Sequence, residues 1–377
     1  MSYKTKFFNT NLIYIIILTL FVAVRIVSSA VDFSLFMSDD MADTMFTVVI
    51  QLGLMFLLPI LMFSKLQKQP VKKTFSDFKY KAISPLAILY SILIGVFCYL
   101  LNIAISSFFG GLIGLFGYEQ GVGTSSTIGD TSIYGFILQV ILVAVLPALC
   151  EETTHRGMLV HGYSMLGIKR AVIYSSLMFG LMHLNINQFF YATILGFLIA
   201  LSTLMSKSII PAIIIHFMNN FISTYISFAQ ANNWFGYEFF DIIGNATLSS
   251  NIVSSFLTSF MFLVVVMGGL VVLYMLLIKE TRVKQMKKLF TTVKKINEEA
   301  GAVPPAMSVG DGYLQNLAML NSMLMDYNVK GTAIDSSVFS VAENKYHKPT
   351  LMESVLFYGA IVLGGIVTVF TFIWGIL

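Results

Sequence analysis

Apolar residues fill most of this chain in long runs, separated by short polar breaks. A helix crossing a bilayer core of about 30 Å needs roughly 20 mostly apolar residues. Runs near 11–31, 43–63, 84–108, 132–162, 171–187, 188–205, 209–229, 251–278 and 351–377 meet or approach that length. The pair 171–187 and 188–205 is the least clear, because both runs are short and no polar break divides them. The pattern predicts an all-α, polytopic transmembrane helix bundle of about eight to nine spans. Its segments read as an N-terminal hairpin with a basic loop (1–83), a transmembrane core (84–278), a basic polar segment (279–350) and a C-terminal span (351–377).

Composition excludes the soluble alternatives. Of 377 residues, 57% are hydrophobic and 11% charged, with 33 Phe. A soluble domain needs about 25% charged residues to cover itself. The two cysteines, Cys98 and Cys150, lie in apolar runs, so they form no disulfide framework. No phosphate-binding loop, cysteine cluster or nucleic-acid motif is present, and no internal repeat is visible.

Charge placement orients the spans. With alternating crossings, every one of the 23 Lys and Arg except Arg25 and Arg156 falls on a single side. The opposite loops, 32–43, 109–131 and 230–250, hold carboxylates and no base. Basic loops stay cytoplasmic, which predicts an integral membrane protein with a cytoplasmic N-terminus. Lys4, Lys6, the first apolar run and Ser28-Ser29-Ala30 also resemble a signal peptide. The length of the run and Arg25 near its end favour a retained helix. In the polar segment, 279–299 reads as a basic amphipathic helix suited to an anionic leaflet. A short helix is expected over 311–328.

Ionisable groups inside spans are costly, so those present point to function. The fourth span carries Cys150-Glu151-Glu152-Thr153-Thr154-His155-Arg156. At helical spacing Glu152 faces Arg156, and Glu151 faces His155. The fifth span carries Phe179 and His183, the seventh His216, Asn219 and Asn220. Measured from the basic ends at ~1.5 Å per residue, Glu151 lies roughly 16 Å deep, His183 roughly 20 Å and His216 roughly 13 Å. Three helices therefore bring polar groups to one depth. Glu152, paired with Arg156, is held ionised and is a poor base. Glu151 is less directly paired and suits general-base work on a water. His183, His216 and Asn220 could position that water and stabilise an oxyanion.

These motifs resemble the CPBP intramembrane protease family, which includes CAAX prenyl endopeptidases and bacteriocin-processing proteins. Its pattern of E-E-x-x-x-R, F-x-x-x-H and H-x-x-x-N/D is met by Glu151, Glu152 and Arg156, by Phe179 and His183, and by His216 and Asn220. The resemblance spans about residues 84–229. It implies a helical intramembrane endopeptidase with a cavity open to the cytosol. It also implies that the first Glu activates water, the second supports the site, and the two His and the Asn assist. His155 departs from the aromatic residue common before the Arg.

The implied substrate is a peptide or membrane protein, prenylated or short, met within the lipid bilayer; nucleic acid is not an expected partner. Bacterial plasma membrane is the expected home by family distribution. Oligomeric state is not readable. A metal-free, glutamate-activated water is preferred over zinc, because no H-E-x-x-H motif occurs. Were zinc present, Glu151, His183 and His216 would be its ligands. Competing explanations are an ion-pair network joining helices, a non-catalytic immunity or scaffold protein, and a proton-coupled transporter. A cysteine-protease reading of Cys150 is disfavoured, since adjacent helix positions point about 100° apart.

Overall fold

The computed structural model describes residues 3–118, 130–247, 252–299 and 348–374. The expected helix at 311–328 lies outside them. Among the described residues all regular structure is helical. In chain order the helices are α1 (Tyr3–Ala30), α2 (Asp39–Leu66), α3 (Val71–Asp77), α4 (Pro85–Gly114), α5 (Ile133–Leu166), α6 (Ile168–Met182), α7 (Ile186–Ser206), α8 (Ile210–Asn232), α9 (Tyr237–Thr247), α10 (Ile252–Glu299) and α11 (Leu351–Trp374). Eight of them are long and apolar enough to cross a membrane.

The exception among the expected spans is the fifth. α6 has 15 residues, about 22 Å of helix, which falls short of the bilayer core. It stops because Leu184 turns the chain with φ +50° and Asn185 caps α7, its side-chain oxygen accepting from Asn187 N–H. His183 therefore sits at a helix end inside the bundle. The carboxylate-bearing 230–250 stretch, expected as loop, holds the short helix α9. Helicity over 279–299 is as expected, and it continues α10 without a break.

The chain forms two compact units, Met1–Leu277 with His347–Leu377, and Ile278–Tyr346. The first unit has two main apolar clusters. One joins α1, α2, α5, α6 and α11 through Phe7, Tyr14, Phe63, Met158, Met178 and Phe357. The other joins α4, α7, α8 and α10 through Cys98, Leu195, Ile199, Ile215 and Leu270. The C-terminal span, which the resemblance leaves unexplained, returns to pack on α1, α6 and α7. Close approach depends on small residues, as is usual where helices pack without a hydrophobic drive between them. At Gly196 of α7 an added Cβ would lie 3.1 Å from the Phe179 ring and 3.3 Å from an Arg156 nitrogen.

Two helices widen where the site is built. Val49–Leu57 in α2 and Thr153–Leu159 in α5 adopt π turns. Their i→i+5 bonds are explicit: Leu58 N–H donates to Gly53 O, and Val160 N–H to His155 O. Such turns change which side chains share a face and recur at functional sites. Thr154 Oγ1 ties the two widened stretches together by donating to Met55 O at 2.6 Å.

Candidate active site

The two adjacent carboxylates have different surroundings. Glu152 is fully buried. Its Oε1 accepts from Arg156 Nη1 at 3.0 Å and from His216 Nδ1 at 2.7 Å. Arg156 Nη2 donates to Gly196 O at 3.0 Å. Through His216 and Arg156, this carboxylate ties α5 to α8 and, by way of the guanidinium, to α7. Removing water from an ion pair is expensive, and only added hydrogen bonds make it tolerable. His216 and Gly196 O supply part of them, while Glu152 Oε2 and Arg156 Nε are buried without a hydrogen-bond partner among the described residues.

Glu151 points elsewhere. Its Oε1 accepts from Gln51 Nε2 of α2 at 2.8 Å, and its side chain lines a cavity of about 660 Å³. His183 lines the same cavity. The His183 Nδ1 contacts Phe179 O at 2.8 Å; a carbonyl only accepts, so Nδ1 carries a proton, and in the neutral ring Nε2 keeps the lone pair. Glu151 and His155, expected on one helix face, make no side-chain hydrogen bond to each other. His155 Nδ1 instead donates to the main-chain oxygen of Glu151 at 2.8 Å, within the widened turn. That leaves the carboxylate of Glu151 to the cavity.

Phe179 organises the set. The Arg156 guanidinium carbon stands 4.3 Å over its ring, a cation–π contact. His155, His183 and His216 pack edge-on against it at centroid distances of 5.0, 4.9 and 5.7 Å. The Phe of F-x-x-x-H therefore aligns the basic side chains. Tyr14 of α1 closes the layer, donating its hydroxyl to Met178 O at 2.7 Å and packing on His155.

The sequence-derived residues are thus brought together in two groups. Glu151 and His183 line the cavity. Glu152, Arg156 and His216 form the buried network beside it. Asn220 belongs to neither: its Nδ2 donates to Val143 O at 2.9 Å, and its Oδ1 accepts from Asn219, so it joins α8 to α5. Gln51 was not anticipated, although an amide midway along an apolar run is a readable signal.

The conditional zinc set is not assembled. His216 faces Glu152 and is absent from the cavity wall. Among the described residues no three His, Cys, Asp or Glu side chains are grouped to hold a metal ion. Cys150 is fully buried and does not line the cavity.

The cavity is walled by several helices. Arg25 and Ser29 of α1, Thr47 of α2, and Phe370, Thr371 and Trp374 of α11 form its wall together with Asn185 and Gln188. Each of the first six lies toward the helix end remote from the Lys-rich ends. The cavity is thus built in the half of the bundle opposite the basic loops.

Residues 133–222 match the family described as type II CAAX prenyl endopeptidase Rce1-like. No curated protein and no solved structure matches the chain. The matched stretch runs from the start of α5 to the middle of α8. It contains both carboxylates, Arg156, both His and Asn220, and excludes Gln51 and Arg25.

Proposed function

Taking as premise that this chain belongs to the CPBP/CAAX protease family by its segment 133–222, we propose that it is an intramembrane endopeptidase with Glu151 as general base. The observation that supports this most is the division between the carboxylates. Glu152 is consumed by Arg156 and His216, while Glu151 reaches the cavity and is oriented by a single amide.

In this reading a water on the cavity floor lies between Glu151 and the His183 Nε2. Glu151 takes a proton from that water as its oxygen adds to the scissile carbonyl. The proton then passes to the leaving amine as the C–N bond breaks, which returns Glu151 to its carboxylate form. His183 orients the water by accepting its second hydrogen. Phe179 O fixes the ring in the tautomer that allows this. No metal enters the scheme. The substrate is a peptide or a membrane-associated protein segment, delivered within the bilayer.

General-base catalysis contributes about 10²–10⁴-fold. Glu151→Gln is therefore expected to lower peptide cleavage in proteoliposomes by at least about 100-fold, with the protein still inserted. Retention of near-wild-type turnover would remove Glu151 from the reaction.

A further inference from the structure

Gln51 is the polar side chain of the widened stretch Val49–Leu57 in α2, whose other members are apolar or glycine. It is 8% exposed. An amide buried in an apolar helix lowers stability unless both of its ends are hydrogen-bonded. Here one end is. An ionised carboxylate accepts and does not donate, so Nε2 of Gln51 is the atom that faces Glu151 Oε1 at 2.8 Å. The amide oxygen is thereby turned away, and it is buried with no hydrogen-bond partner among the described residues.

Helix packing does not account for this amide. About one turn further along both helices, Thr154 of α5 donates to Met55 O of α2 at 2.6 Å. The two bonds run in the same order on the two helices, so α2 and α5 are parallel and the Thr154 bond already sets their register. The Gln51 bond adds an orphaned oxygen to that join. What it supplies instead is direction. Oε1 of Glu151 is held against α2, while Oε2, which makes no hydrogen bond among the described residues, is left to the cavity that His183 also lines. A free carboxylate turns easily, because its terminal torsion is broad. Misplacement of a reacting group by about 1 Å can lower a rate about 100-fold.

We propose that Gln51 is a positioning residue for the hydrolysis: it pins Oε1 of Glu151, which assigns Oε2 as the atom that takes the proton from water, and it raises rate while lowering stability. The proposal rests on the endopeptidase reading, and parallel variants separate the two. Gln51→Met keeps the length of the side chain and removes the donor. Wild type, Gln51→Met, Glu151→Gln and the double variant are placed in proteoliposomes with an internally quenched fluorescent peptide of apolar sequence. Gln51→Met is expected to lower kcat about 10–100-fold with KM unchanged, and its unfolding midpoint in detergent should equal or exceed that of wild type. In the Glu151→Gln background Gln51→Met should cost nothing further, because it acts only through that carboxylate. Wild-type kcat in Gln51→Met beside an inactive Glu151→Gln overturns the positioning role and leaves the endopeptidase reading standing. An additional loss of the same size in the double variant also overturns it, since Gln51 would then act independently of Glu151. So does a midpoint lowered in Gln51→Met, which would make the amide a tie between α2 and α5. Wild-type turnover in Glu151→Gln would remove both the reading and the proposal.

Discussion

At the scale of single residues, the adjacent Glu151 and Glu152 differ because the helix carries them into different company. Glu152 meets a guanidinium and an imidazole in a dry seam; Glu151 meets one amide and a cavity. Their substitutions should therefore separate function from stability. Glu152→Gln strips the buried Arg156 of its counter-charge, a loss of about 3–5 kcal/mol where such pairs are fully buried. Thermal unfolding in detergent should show a clearly lowered midpoint for Glu152→Gln and a nearly unchanged one for Glu151→Gln. Equal destabilisation by both would mean that Glu151 is also structural. The E-E-x-x-x-R spacing made the Glu152–Arg156 pair readable from sequence. The fate of Glu151 was not readable, because it depends on Gln51, a hundred positions away and on another helix.

At the scale of elements, hydropathy located the long spans within a few residues. It does not show the widened turns, which apolar periodicity does not mark. It also made α6 look like a full crossing. Its apolar run continues past the turn at Leu184, and apolar content alone does not mark a reversal of direction. The α6–α7 hairpin that results presses Gly196 onto Phe179 and Arg156. Gly196→Ala must displace one of them by a few tenths of an ångström. Overpacking of this kind costs about 1–3 kcal/mol, and here the displaced groups align the site. Turnover should fall further than the unfolding midpoint suggests. Wild-type turnover in Gly196→Ala would show that Phe179 packs without positioning.

At the scale of the whole molecule, charge asymmetry is legible because it survives projection onto the membrane normal. The return of α11 to the cavity wall was not, since it is a long-range contact with no local signature. Sidedness is open to direct test. Cys98 and Cys150 are both buried, so labelling by an impermeant thiol reagent should start from a low background. Ser76→Cys in the Lys-bearing α3 should react only from the cytoplasmic side, and Ser34→Cys in the carboxylate-rich loop only from the other. The reverse pattern would invert the bundle and with it the face on which the cavity lies.

The central claim is hydrolysis within the membrane by Glu151, and peptide products report on it whatever the substrate is. Wild type and Glu151→Gln are expressed to equal membrane levels in the same cells, and membrane-associated peptides are profiled by mass spectrometry for new C-termini. The account predicts a set of cleaved termini present with wild type and missing with Glu151→Gln. Identical profiles from the two strains would contradict it.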